Sequence, residues 1–537
     1  MNLKTLKFPY LLLFLFIGIL LGIQIEKIFS SDKLKDSIDK FGDVLSLTQK
    51  NYVEEVDTQK LVDDAINGLL ADLDPHSVYI PPSQLENIEE SFRGDFEGIG
   101  IEFQVVNDTV VVVSSITGGP SDQLGIMPGD RIIKVDGKNF TGVSTEKVRQ
   151  TLRGEAGTKV KVSILRNGNR NLIDYEITRD KIPLYSVDTQ LMIDKNTGYV
   201  SVSRFSETTF DELKNSLDDL KKKGMTQLIL DLRSNPGGYL KQAVDIADLF
   251  LDGEKKIVFT KGRRSEYNED YTASQSSPYE KIPLIVLINH GSASASEIVA
   301  GAIQDWDRGL IIGETSFGKG LVQKQFDLFD NSAIRLTISK YYTPSGRSIQ
   351  RDYKNMKSKD DYYSDAQNRE EVEGENINHT TEKDSTAEVF QTEGGRKVFG
   401  GGGITPDYIV KNAKLSDYSI NLLKSNVFYE YVLSYLESNK DRLKSTFGNN
   451  LMKYISEFQF TETDVKKFIK FAESKEVKLS ETDFAIDKSY ILERLKAEIA
   501  RNFWKNEGWY SVMIKNDDQV AKALTLFGEA KSIAHLK

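Results

Sequence analysis

The chain has 537 residues, 39% hydrophobic and 28% charged, which is ordinary globular usage and too long for a single hydrophobic core, so several domains are expected. A formal net charge of −10 argues against nucleic acid as a partner, because phosphate binding needs a basic face. Cysteine is missing, which excludes disulfides, thiolate metal sites and a cysteine nucleophile; the four histidines, His76, His290, His379 and His535, are too scattered for a metal cluster, so no metal or other cofactor is expected.

Lys4 and Lys7 precede "FPYLLLFLFIGILLGIQI", Phe8 to Ile25, 18 residues without a charge. Such a run can span a bilayer core. A cleaved signal peptide is the rival reading, but no A-x-A-like site follows. Residues 1–30 are therefore expected to be a membrane anchor or signal, with the rest extracytoplasmic, on the periplasmic side of the inner membrane in a Gram-negative cell.

Residues 31–93 read as helical: Leu61, Ala65, Ile66, Leu69 and Leu70 make a helical stripe, which "DPHSVYIPP" breaks. Residues 94–180 change character. "TVVVVSSI", "DRIIKVDG" and "KVKVSILRNG" are strand-like between turn residues, with one short helix, "STEKVRQTLRG", predicting a compact β-rich domain. Residues 181–413 alternate buried strands such as "QLILDLR" and "PLIVLIN" with helices such as "YLKQAVDIADLFL", an α/β core. Within it, 353–398 is polar, acidic and aperiodic, and is expected to be a mobile surface insertion. Residues 414–537 are helical again, with one stripe of Phe428, Tyr431, Val432, Tyr435 and Leu436 and another of Ile491, Leu495, Ile499 and Phe503. They suggest packing, or assembly with a second copy or an adaptor.

Three stretches could carry chemistry. "GSASASEIVAG", Gly291 to Gly301, places Ser294 after a strand and at the start of a helix, where N–H groups and the helix dipole favour developing negative charge. The same residue fits a capping box with Glu297. His290 is the nearest base by sequence, but would need a sharp fold-back to reach the hydroxyl. Lysine is the other base known for serine, provided its pKa falls. "GETSFGKGLVQKQF" offers Lys319, with Gln323 on the same face of an extended segment; an exposed loop lysine is the plain alternative. That stretch also imitates a phosphate-binding loop, but Gly320 stands where Ser or Thr is needed and a strand-like run follows. "LRSNPGGYL" brings Gly237 and Gly238 after a strand, suited either to an oxyanion hole with the Ala295 N–H or to a simple turn. "GIGIEF" opens the β-rich domain, and Gly98, Ile99, Gly100 and Ile101 could hold a peptide's terminal carboxylate.

Together, "DPHSVYI", "GIGIEF", "GIMPGDRIIKVDG", "LRSNPGGYL", "GSASASEIVAGAIQD", "GETSFGKGLVQ", "YYTPSGRSIQ" and "GGGITPD" resemble, in order, the landmarks of the C-terminal processing peptidases, or tail-specific proteases, over about residues 60–410. The resemblance implies Ser294 as nucleophile, Lys319 as base, Gln323 as its orienting residue, and oxyanion donors at Ala295 and the Gly237–Gly238 turn. It implies a PDZ domain at 94–180 inserted in a crotonase-like core, and peptide or protein substrates with free, unfolded, apolar C-termini. A non-proteolytic PDZ scaffold and a crotonase-like acyl-CoA enzyme are the rivals; intact Ser294, Lys319 and Gln323 count against the first, and the PDZ-like domain against the second.

Overall fold

A computed structural model describes residues 32–167, 169–274, 276–356, 358–379, 388–448 and 450–536. The apolar segment 8–25 lies outside the described residues, and none of the described helices is long and apolar enough to cross a membrane. The chain divides into two compact units, residues 1–79 and 80–537.

In the first unit, α1 (Asp32–Asn51) and α2 (Thr58–Ala71) are separated by Asp57, whose carboxylate caps α2 by accepting the Lys60 N–H at 3.1 Å. The "DPHS" break is an Asp-centred turn: Asp74 accepts the N–H groups of His76 and Ser77, each at 2.8 Å, and the Ser77 hydroxyl at 2.7 Å.

The second unit opens with α3 (Pro82–Arg93), which has proline in its first turn and ends on Gly94 at φ 86°. The β-rich domain follows. Its sheet is antiparallel in simple order, β1 (Ile101–Val106), β2 (Thr109–Ser115), β3 (Arg131–Val135), β4 (Lys159–Leu165) and β5 (Ile173–Thr178). Helix α4 (Thr145–Leu152) closes it, burying Val148 and Leu152 against Val110, Val112, Val160 and Ile164. Strands Asp95–Gly98 and Asp180–Pro183 pair antiparallel, so the chain enters and leaves side by side, the geometry of an inserted domain.

The α/β core runs β6 (Val187–Met192), β7 (Thr197–Val202), α5 (Thr209–Lys222), β8 (Gln227–Asp231), α6 (Leu240–Asp248), β9 (Lys256–Gly262), β10 (Leu284–Ile288), α7 (Ala295–Asp305), β11 (Leu310–Gly313), β12 (Leu321–Asp327) and β13 (Ala333–Tyr342). Strands β7, β8, β10 and β11 are parallel neighbours in that order, with β6 antiparallel on one edge and β14 (Tyr408–Ile409) parallel beyond β11. Buried on both faces, they read as continuous apolar runs. One face carries α5, α6 and α7, with Leu217, Leu230, Val286 and Ile298 in one cluster. Strands β9, β12 and β13 form a second sheet.

The described parts of the segment 353–398 (353–356, 358–379 and 388–398) are anchored to the core at several points. They include α8 (Lys359–Gln367), with Tyr362 and Ala366 buried, while Asn376, His379 and Val398 are buried further on. The polar composition concealed these contacts because the buried anchors are few and follow no period. The helical region 414–537 also divides. Helices α9 (Asp417–Lys424), α10 (Val427–Phe447), α11 (Leu451–Glu457), α12 (Glu462–Ser474) and α13 (Glu481–Met513) share an aromatic-rich core that includes Phe428, Tyr431, Tyr435, Ile491, Leu495 and Ile499. The last helix, α14 (Asp518–Ile533), instead covers the second face of the protease sheet, packing Val520, Ala523 and Phe527 with Ile229, Ile285, Leu287 and Ile312.

Candidate active site

The density of small residues in "GSASASEIVAGAIQD" has a packing cause. Every residue of α7 is buried, and a methyl group on Gly301 would approach Thr343 Cγ2 to 2.8 Å. Of the three serines, two are structural. Ser292 Oγ donates to Leu232 O at 2.8 Å and accepts the Asn289 N–H at 2.9 Å, and Ser296 Oγ donates to Asn235 O at 2.9 Å. Ser294 is half-buried and faces a cavity of about 890 Å³. Its backbone is held at φ 54°, ψ −111°, the strained conformation that glycine usually takes at the first corner of a type II′ turn. Its neighbour Ala295 begins α7, and the Ala295 N–H has no partner among the described residues.

Lys319 and Gln323 line the same cavity as Ser294, together with Leu321. Lys319 Nζ donates to Gln323 Oε1 at 2.7 Å. Lys319 leaves the loop between β11 and β12, and the β12–β13 pairing shifts register at Val322–Gln323, where Ile338 is the extra residue on β13. A strand, not a helix, follows Gly320, which removes the phosphate-loop reading. His290 turns away: its Nδ1 lies 2.8 Å from Thr315 O.

Two side chains that the motifs did not single out for this task tie the loops together. Glu297, fully buried one turn into α7, accepts four hydrogen bonds: from Ser294 N and Lys319 N through Oε2 (2.8 and 2.9 Å), and from Gly318 N and Ser316 Oγ through Oε1 (2.7 and 2.5 Å). Burial pushes its carboxyl upward and these donors pull it back. The capping-box reading foresaw only its bond to Ser294. Tyr341, on β13, shares its hydroxyl proton between Lys319 O (2.6 Å) and Ser294 O (3.1 Å); burial holds the phenol well above its ordinary pKa, so it remains a donor.

The glycine turn abuts the serine. A Cβ on Gly237 would fall 2.8 Å from both Ala293 O and Ser294 Cβ, and one on Gly238 would overlap Phe205 O at 2.0 Å. Their φ values, 99° and 151°, lie where only glycine is at ease. The Gly237 N–H already donates to Asn235 Oδ1 at 2.9 Å, so the amide this turn has left to offer is that of Gly238. Asn235 is itself fixed by Nδ2 to Val202 O at 2.8 Å.

The comparisons with known proteins follow the same order along the chain. Residues 23–82 match an activating protease CtpB N-terminal domain, 98–177 a PDZ domain, 196–356 peptidase family S41, and 418–505 a family of unknown function. Over 315 residues the chain is 42% identical to a carboxy-terminal-processing protease of Bartonella bacilliformis, covering 58% of this chain and 72% of that one. The chain belongs to the carboxy-terminal-processing proteases. It is thus a serine-type peptidase with a PDZ domain. A second relative, carboxy-terminal processing protease CtpA of Bacillus subtilis, is 39% identical over 312 residues, 58% of this chain and 66% of that one. Among solved structures, a photosystem II D1 C-terminal processing protease shares 31% identity over 58% of this chain and 89% of its own, with a TM-score of 0.33.

In this processing protease the PDZ loop also faces a cavity. Ile99, Gly100 and Ile101 line a pocket of about 130 Å³ with Phe96, Phe103, Leu152, Arg149 and Arg153, whereas Gly98 packs at the end of the entry strand. The pocket lies between α4 and the edge strand β1, whose outer side is unpaired within the sheet.

Proposed function

We propose that this protease is an endopeptidase that cuts proteins recognised by unfolded, apolar C-terminal tails, using Ser294 as nucleophile and Lys319 as general base. The observation that carries this reading is the 2.7 Å bond from Lys319 Nζ to Gln323 Oε1 in the cavity that Ser294 faces. An amide oxygen can orient an amine without adding a charge that would hold it protonated. The neutral amine of Lys319 takes the Ser294 proton as Oγ bonds to the scissile carbonyl carbon. The carbonyl oxygen becomes an oxyanion, faced by the N–H groups of Ala295 and Gly238. When the C–N bond breaks, Lys319 returns the proton to the leaving amine. Lys319 then takes a proton from a water whose oxygen bonds to the acyl carbon, and returns it to Ser294 Oγ as the ester C–O bond breaks.

The tail reading rests on the PDZ pocket. Amides of the Ile99–Ile101 turn would take the terminal carboxylate, Arg149 would add charge at the rim, and Phe96, Ile101, Phe103 and Leu152 would take the last apolar side chain. The tail would add as a strand to β1. The N-terminal apolar segment would anchor the chain in the membrane and leave the catalytic part on the extracytoplasmic side, and the mechanism uses no metal or nucleotide.

The test is cleavage of an unfolded polypeptide with a free apolar C-terminus and of its amidated copy, by the wild type, Ser294→Ala and Lys319→Ala. Loss of cleavage in both variants, with the free carboxylate preferred by the wild type, is expected. Cleavage persisting in Lys319→Ala would remove the Ser–Lys mechanism; equal cutting of both substrates would remove tail recognition.

A further inference from the structure

The segment after residue 356, where the match to family S41 ends, is built into the back of the Lys319 loop. Tyr362 and Ala366 of α8 form a small apolar cluster with Ala293, next to the nucleophile, and Phe317, two residues from the base. The Tyr362 ring stands edge-on to Phe317 at 5.5 Å, and the Arg351 guanidinium lies 4.1 Å from the Tyr362 ring centre and 5.0 Å from that of Phe317. Arg351 is held in turn by Asp365 at 2.6 Å and by Tyr362 O at 2.5 Å.

Loop 314–320 has no regular structure, so its backbone groups need partners from elsewhere. Side chains from 350–371 supply much of that need. Arg369 Nη1 donates to Ser316 O at 3.1 Å and to Gly402 O at 2.6 Å, while its Nη2 donates to Phe317 O at 3.1 Å. Glu371 Oε1 accepts the Thr315 N–H at 3.0 Å. Gln350 Oε1 accepts the Gly320 N–H at 2.9 Å, and its Nε2 reaches the Tyr362 hydroxyl at 3.1 Å. Among the described residues Arg369 is therefore the cation that grips the successive carbonyls of Ser316 and Phe317, three and two residues before Lys319, a task for a planar fork that an ammonium fills poorly.

We infer that Arg369 is a positioning residue for Lys319, acting through the carbonyls of Ser316 and Phe317, and that the turn and helix at 358–371 belong to the catalytic machinery. The inference rests on reading Lys319 as the base. A lysine has a long stem, so the place of its amine is set by where the backbone starts it; a shift of about 1 Å in a reacting group can cost on the order of 100-fold in rate.

The experiment compares the wild type, Lys319→Ala, Arg369→Ala and Arg369→Lys as the whole chain, with a fluorogenic peptide ending in a free apolar carboxylate. Rates are taken per folded molecule, calibrated by near-ultraviolet circular dichroism. Arg369→Ala is expected to lose roughly 10- to 100-fold in kcat with KM changed less than about twofold. Guanidinium ion at tens of millimolar should return part of that kcat in this variant alone. Arg369→Lys keeps charge and bulk, guards against misfolding, and should lose kcat several-fold because one ammonium cannot bridge the carbonyls. Wild-type kcat per folded molecule in either Arg369 variant, or a loss carried by KM, overturns the inference. Activity surviving in Lys319→Ala would instead remove the reading beneath it.

Discussion

The backbone amides of Ser294 and Lys319 donate to one oxygen, Oε2 of Glu297, at 2.8 and 2.9 Å. Two residues 25 positions apart are thereby registered against a single buried carboxylate whose hydrogen-bond donors among the described residues are all uncharged groups. The nucleophile and the base share one anchor, and its other oxygen holds the rest of the base's loop.

Glu297→Gln puts an NH2 group where one carboxylate oxygen accepts two of the four donors. The expected outcome is a destabilisation of about 2–3 kcal/mol and a fall in kcat on the order of 100-fold, although neither Ser294 nor Lys319 is touched. Urea midpoints and peptide kinetics on the same preparation check it; wild-type kcat would show that the anchor only stabilises.

Tyr341→Phe removes the proton shared by the Ser294 and Lys319 carbonyls. Two half-buried acceptors then lose a donor, at a cost of about 1–2 kcal/mol, and kcat should drop about tenfold with KM preserved. Chemical denaturation and steady-state rates give both numbers.

Gly237→Ala adds only a methyl group and removes no polar atom. At φ 99°, with Ala293 O and Ser294 Cβ each 2.8 Å from the new Cβ, the turn or the serine must move. Activity should fall at least about 100-fold while far-ultraviolet circular dichroism stays that of the wild type. Retained activity would mean that the serine tolerates displacement.

Asp122 backs the PDZ loop. It accepts the Gly118 N–H, which is the main cause holding its carboxyl below the ordinary 3.8, helped by the Ser115 hydroxyl and by Lys505 of the kinked helix α13 at 3.7 Å. Around that pH the folded chain binds fewer protons than the unfolded chain, so the contribution is present above 3.8 and is lost as pH falls through the lowered value. Asp122→Asn should cost less than about 1 kcal/mol at neutral pH, since the ion pair is exposed to solvent, and the gap to wild type should close only in strong acid. Urea melts from pH 7 down to about 3 test this; a gap that widens in acid would contradict it.

The sequence alone determined the features whose signals are local. Strand and helix alternation across 181–352 was legible because buried parallel strands are uniformly apolar and their helices striped. Ser294, Lys319 and Gln323 each stood out in a local motif, but a helix cap and an exposed loop lysine remained open there, and their roles came only with the resemblance to the processing peptidases. Tertiary structure decided what spacing does not encode. Ser292 and Ser296 became structural because Leu232 O and Asn235 O lie within reach, and the Gly237 amide was spent on Asn235. In the described stretch 358–379 the anchors, Tyr362 and Arg369 among them, were invisible because they are few and spread through a polar run with no period. Helix α14 gave no sign that it covers the protease sheet rather than its helical neighbours, because an apolar stripe names a buried face and not the partner that buries it.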